Sequence, residues 1–188
     1  MQSTIIYLIG HYGVGKLTIA KAICAMTDAR LFDNHLVNNV VFSLIRMDGN
    51  TGLPEKVWDY IDVIKDQAFA SIETLAPPDF SYVLTNALMD DDPGDWAAYE
   101  KVQALAARTG RLFVPVLLNA SDEAHAARID SEDRRARLKA TNVAAAAEKR
   151  RNSRLIQIEH PNRIDIDTTH LPPEQAARII IDHAETCR

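Results

Sequence analysis

Near its start the chain runs from a continuous apolar segment, residues 4–9, directly into the stretch GHYGVGKLT at 10–18. β-Branched and large apolar residues without alternation form strands buried on both faces, which occur in parallel sheets covered by helices. The segment KLTIAKAICAMT (16–27) then carries Leu17, Ala20 and Ile23 or Cys24 at helical spacing, so a helix is expected to begin at Lys16. Between strand and helix, Gly10, Gly13 and Gly15 let successive backbone N–H groups point inward. With the positive end of the helix and the Lys16 ammonium they make a cradle for phosphate oxygens. The GxxxxGK pattern is met at Gly10, Gly15 and Lys16, and the strand-turn-helix context is what turns such a match into a site. The next position, where a magnesium-binding Ser or Thr is expected, holds Leu17. Gly10, Gly13, Val14, Gly15, Lys16, Leu17 and Thr18 are the candidate phosphate-binding residues.

The rest of the chain keeps the alternation. ARLFDNHL (29–36) reads as a short second strand, and VNNVVFSLIRM (37–47) as a helical stretch closed by the breaker cluster DGNTG. Pro54 opens another helix, with Val57, Ile61, Ile64, Ala68, Ile72 and Leu75 on one face. FSYVLTNAL (80–88) is a third strand, followed by a helix with Asp92 as N-cap, Pro93 at its first position and Asp95 near the dipole. GRLFVPVLLNAS (110–121) is a fourth strand, with Pro115 expected at a bulge or a locally unpaired position. A helix from Asp122, an Arg-rich segment, an Ala-rich helix (143–157), a fifth strand RIDIDTT (163–169) and a closing helix from Pro172 or Pro173 complete the order. Strands alternating with helices imply a parallel α/β sheet with right-handed crossovers.

A net charge of -5 argues against a general nucleic-acid or membrane-surface binder, since both partners are polyanionic. Cys24 and Cys187 stand far apart without metal-ligand spacing, so no disulfide framework is expected and a reducing cytosol fits. No basic leader precedes the first apolar run, and no stretch approaches the roughly 18 apolar residues that span a bilayer. A cytoplasmic location is expected.

In the order of its phosphate loop, Asp-bearing second strand, Arg-rich segment and final strand and helix, the chain resembles the P-loop small-molecule kinases. That group comprises the shikimate, gluconate and adenylate kinases and their relatives, including chloramphenicol phosphotransferase. Lys16-Leu17-Thr18 is similar to the Lys-Gly-Thr of adenylate kinases, which also lack a hydroxyl directly after the lysine. The resemblance implies one domain over 1–188, a P-loop NTPase three-layer αβα fold with a five-stranded parallel sheet and a helical lid. It also implies ATP and Mg²⁺, with Thr18 on the α- or β-phosphate. Magnesium would be held by nucleotide oxygens, water and other residues, which it tolerates because it dehydrates reluctantly. An acceptor region is expected at about 33–78 and an Arg-rich lid at about 128–148. In such kinases an aspartate ending the second strand orients or deprotonates the acceptor hydroxyl, and the matching residue is Asp33. Ligands of parallel sheets bind at the carboxyl ends of strands, which separately puts Asp33 beside the phosphate loop. His35, with a pKa nearer neutrality, competes for the role of base, and Asn34 and His35 are candidates for acceptor contacts. From 128 to 154 nine basic side chains face four acidic ones, a local excess of +5 in an acidic chain. Arg134 and Arg137 are the preferred lid arginines, placed to stabilise charge on the transferring phosphoryl group.

The third strand departs from the family pattern. It ends TNALMDDDPGD, without the acid of a Walker B strand and without a Gly-Phe-Pro-Arg signature. Asn86 at the strand end is a candidate acceptor contact, while Asp90, Asp91 and Asp92 are open to a role as outer-sphere magnesium ligands or to facing a cationic acceptor, with capping of the next helix the simpler account of Asp92. Between Asp33 and Asp92 the only Lys or Arg residues are Arg46, Lys56 and Lys65, too few to grip a phosphorylated acceptor. A neutral or partly cationic alcohol is expected, such as a nucleoside, polyol or antibiotic, with Arg46 able to hold the carboxylate of a sugar acid. The expected activity is ATP-dependent phosphorylation of such a hydroxyl, with an ATP-binding module without turnover, a nucleoside monophosphate kinase or a polynucleotide kinase as alternatives.

Overall fold

The computed structural model describes residues 1–46, 53–129, 148 and 150–188. Five strands, β1 (Thr4–Gly10), β2 (Arg30–Asp33), β3 (Tyr82–Asn86), β4 (Leu112–Asn119) and β5 (Ile164–Asp167), form one sheet in the order β2-β3-β1-β4-β5. All four pairings are parallel. Among the described residues the helices are α1 (Lys16–Met26), α2 (Asn34–Phe42), α3 (Lys56–Leu75), α4 (Pro93–Arg108), α5 (Asp122–Ile129) and α6 (Pro173–Thr186), and residues 148 and 150–152 are also helical.

The central strand explains the layering. Every residue of β1 is buried, and its side chains alternate between two cores. Ile5, Tyr7 and Ile9 pack with Phe69 and Ile72 of α3 and with Tyr99, Val102 and Leu105 of α4. Ile6 and Leu8 pack with Ile19, Ala20 and Ile23 of α1 and with Ala177, Ile180 and Ile181 of α6. Three layers result, as the unalternated apolar run requires. A smaller cluster, Val37 and Phe42 of α2 with Val57 and Ile61 of α3, sits apart and joins these two helices into a wall beyond the carboxyl end of β2.

Several expectations need correction. The buried stripe of α1 is Ile19, Ala20 and Ile23, whereas Leu17 is only half-buried because it belongs to the first turn, at the phosphate loop. Leu75 is 80% exposed, lying in the last turn of α3 just before Pro77 and Pro78. Helix α2 stops at Phe42, short of the expected end. Residues 155–157 are not helical: Leu155 forms an isolated antiparallel bridge with Met89, and Ile156 and Ile158 enter the core. Pro115 causes no bulge, since β1 stays in register from Thr4–Leu112 to Gly10–Leu118, and β5 pairs only from Val116 onward. Asp92 caps α4 as expected, accepting from the Gly94 N–H at 2.8 Å. No helix among the described residues is long and apolar enough to cross a membrane.

Candidate active site

In a parallel sheet the crossovers leave the two sides of a strand in opposite directions, and the crevice lies where they part. Here β1 has β3 on one side and β4 on the other, so the loop after β1 opens at that point. Gly10 is fixed by crowding: a Cβ there would lie 2.5 Å from the Leu118 carbonyl oxygen and 2.8 Å from Val14 Cγ2. Gly13 and Gly15 have φ of 84° and 94°, values that side-chain-bearing residues rarely adopt. Gly15 is the N-cap of α1 and no side chain caps that helix. Its leading N–H groups are therefore available to an anion. Lys16 Nζ donates to the carbonyls of Gly10 at 2.6 Å and His11 at 2.8 Å, which keeps the ammonium over the loop.

The loop is braced from behind. Thr168 Oγ1 donates to the Val14 carbonyl at 2.9 Å, and Arg128 holds the same segment through Thr168 Oγ1 at 3.1 Å and the Thr168 carbonyl at 2.8 Å. Arg150 ties its segment to the loop after β4, donating to the Ala120 carbonyl and pairing with Asp122 at 3.1 Å.

Across the cleft, Asp33 ends β2 and stands opposite Thr85 of β3. Asp33 is 7% exposed, and Thr85 Oγ1 donates to Asp33 Oδ1 at 2.5 Å while accepting from the Asn34 N–H at 3.3 Å. Asn34 and His35 follow in the first turn of α2. Residues 12–18 of the phosphate loop, Asp33, Asn34, His35 and Asn86 line one cleft of about 1530 Å³, whereas Gly10 does not line it. Val14 and Thr18 both belong to this lining, the first buried and the second exposed.

Not every candidate joins this cleft in the same way. The Asn86 amide is already engaged, donating to Tyr7 Oη at 3.1 Å and accepting from the Ala87 N–H at 2.9 Å. Arg46 is exposed and does not line the cleft, because α2 has ended before it. Asp90 is bound by Arg154 and by the Gln157 N–H at 3.1 Å, which hold its carboxyl below the usual carboxylate range. Arg134 and Arg137 lie outside the described residues. Among the described residues no cluster of three His, Cys, Asp or Glu could hold a metal.

Sequence reasoning did not single out Asn38, Phe42, Trp58 or Asp62 of the α2–α3 wall, and counted Lys65 only as one cation among three. One signal was present. Lys65 lies four residues after the buried Ile61, so a charged residue interrupts the apolar stripe of an amphipathic helix.

No protein-family model matches the chain, and no curated protein sequence matches it. Solved structures do. A gluconokinase from Sinorhizobium meliloti is 13% identical with a TM-score of 0.63, covering 98% of this chain and 93% of its own. The APS kinase of Mycobacterium tuberculosis, solved with AMPPNP and APS, is 15% identical with a TM-score of 0.60 and covers 98% of both chains. A tunicamycin resistance protein from Deinococcus radiodurans is 20% identical with a TM-score of 0.56, covering 96% and 94%. At such identities the likeness speaks to architecture, and it covers 93–98% of the chains compared. The chain has the three-layer α/β fold of the P-loop kinases.

Proposed function

We propose that the chain is an ATP-dependent phosphotransferase acting on a hydroxyl of a small molecule. The observation that carries the reading is that the phosphate cradle and the buried Asp33 carboxylate line the same cleft. Either group alone has ordinary structural explanations; together they suit a phosphate donor and a proton acceptor sharing one enclosure. Kinases among the solved structures of like fold support the same assignment.

In this reading the N–H groups of the loop and of the first turn of α1 hold the donor phosphates, and Lys16 moves from its carbonyl partners onto them. The acceptor oxygen forms a bond to the γ-phosphorus as the bond from that phosphorus to the β–γ bridging oxygen breaks, leaving ADP. Asp33 accepts the proton of the acceptor hydroxyl, and the Thr85 hydrogen bond holds its carboxylate in place. Arg134 and Arg137 are assigned to the charge that spreads over the transferring group. Leu17 offers no side-chain oxygen, so magnesium would be held by nucleotide oxygens, water and other residues, where it would neutralise phosphate charge.

A second reading, nucleotide binding without turnover, is favoured by Leu17 and by Asn86 where an acid is expected. Acceptor-dependent ADP release over a panel of small alcohols separates the two. The first reading predicts release that requires an acceptor, and tight ATP binding without release from any acceptor would favour the second.

A further inference from the structure

Besides Asn34 and His35, the wall built by α2 and α3 lines the cleft with Asn38, Asp62 and Lys65, which the phosphate site does not use. Asn38 is 5% exposed, and its Oδ1 has no hydrogen-bond partner among the described residues. A buried carbonyl-type oxygen left unpaired is costly, and the group it calls for is an O–H or N–H donor. Lys65 lines the same cleft, half-buried, and among the described residues no carboxylate lies within ion-pairing distance of it. Burial holds its ammonium below the usual lysine range despite the pull of Asp62, Asp66 and Asp95.

Of those carboxylates Asp66 and Asp95 are committed elsewhere, and Asp62 only loosely. Lys101 approaches Asp66 at 2.9 Å and Asp62 at 4.0 Å, and Asp95 Oδ2 accepts from the Met89 N–H at 2.7 Å. Asp92 caps α4, and Asp33 accepts from Thr85. Lys65 is thus a cation in the lining of the cleft with no carboxylate in ion-pairing contact among the described residues, while Asn38 Oδ1 and the Asp62 carboxylate, which Lys101 meets only at 4.0 Å, offer oxygens to hydroxyl donors. Arg46, the residue the sequence offered for a carboxylate, is outside the cleft.

Resting on the phosphotransferase reading, we propose that the acceptor is a polyhydroxy acid, its carboxylate held by Lys65 and its hydroxyl chain read by Asn38 and Asp62. A purely neutral polyol would leave the ammonium unanswered, and a cationic acceptor would be repelled by it. The phosphorylated hydroxyl then lies at the end of the molecule facing Asp33 and the phosphate loop.

The test pairs acids with their neutral counterparts, D-gluconate with D-glucitol and D-glycerate with glycerol, and measures ATP affinity and transfer for the wild type, Lys65→Met, Lys65→Arg and Asn38→Leu. The wild type should phosphorylate an acid in preference to its neutral counterpart. Lys65→Met should raise KM for the acid about 30-fold or more with ATP affinity retained, as expected when a partly buried charge pair loses one member. Lys65→Arg should recover part of that loss, and Asn38→Leu should weaken acid and alcohol alike. With ATP bound, transfer only to the neutral member, transfer to neither member of a pair, or acid transfer indifferent to Lys65→Met each overturns the inference and leaves the phosphate site intact. A wild type that does not bind ATP overturns the phosphotransferase reading itself, and this inference with it.

Discussion

Asp33 and Thr85 face each other across adjacent parallel strands, and the Thr85 hydroxyl donates to Asp33 Oδ1 at 2.5 Å. An amide in place of the carboxylate keeps an oxygen to accept that bond but cannot take a proton. Asp33→Asn should therefore fold and bind ATP nearly as the wild type does, while transfer falls by about a hundredfold or more, the scale of general-base assistance. His35→Ala should mainly alter acceptor affinity. Steady-state kinetics on both variants check the assignment: unimpaired transfer by Asp33→Asn beside an inactive His35→Ala would make His35 the base.

The sheet and the phosphate loop were legible because each depends on local chemistry. An unalternated run of residues 4–9 has few alternatives to a buried parallel strand, and glycines at 10, 13 and 15 before a lysine have few alternatives to an anion cradle. Asp33 was reached through the family resemblance and the rule for strand ends, whereas the second strand was expected to run on to Leu36, where the structure instead starts α2 at Asn34. The acceptor wall was not, since it depends on how α2 and α3 pack over Val37, Phe42, Val57 and Ile61, a contact between segments separated by a loop. Residues 155–157 were misread as helix because alanines upstream favour it, whereas pairing with Met89 and Leu88 is a long-range bond that propensity cannot register.

Gly10 tests the close approach of β1 to β4. In Gly10→Ala the added methyl meets the Leu118 carbonyl oxygen, a backbone atom that cannot swing away. Thermal or denaturant unfolding should show a loss of about 1–3 kcal/mol, the usual range for overpacking a dense interior. A variant as stable as the wild type would show that the strands separate more easily than their register indicates.

Tyr99 is buried among Tyr7, Trp96 and Phe113, and its hydroxyl has no partner among the described residues. Burial pushes its phenol up to about 12. Tyr99→Phe removes an unanswered polar group while keeping the ring, so Tm should be unchanged or higher. A clear loss of stability would mean that the hydroxyl is satisfied in solution.

Asp90 joins the loop after β3 to the chain that returns toward β5, through Arg154 first and the Gln157 N–H second, and both hold its pKa down. The unfolded chain, with an ordinary aspartate near about 3.9, takes up the proton more readily than the folded one. The contribution of this contact is therefore present above that value and fades as pH falls below it toward the depressed folded pKa. Asp90→Asn should lower Tm at pH 7, and the gap from the wild type should narrow on acidification toward pH 3. A gap that does not change with pH would mean that charge is not what the contact contributes.

The phosphate loop is where the account stands most exposed, because everything proposed for Asp33 and Lys65 presumes a donor held by Lys16. The most direct measurement follows the labelled γ-phosphate of ATP into a small-molecule acceptor, with wild type and Lys16→Ala side by side. The wild type should transfer label to an acceptor hydroxyl, and Lys16→Ala should bind ATP more weakly and transfer none. Equal transfer by both proteins, or no transfer by the wild type to any acceptor while ATP is bound, would contradict the account.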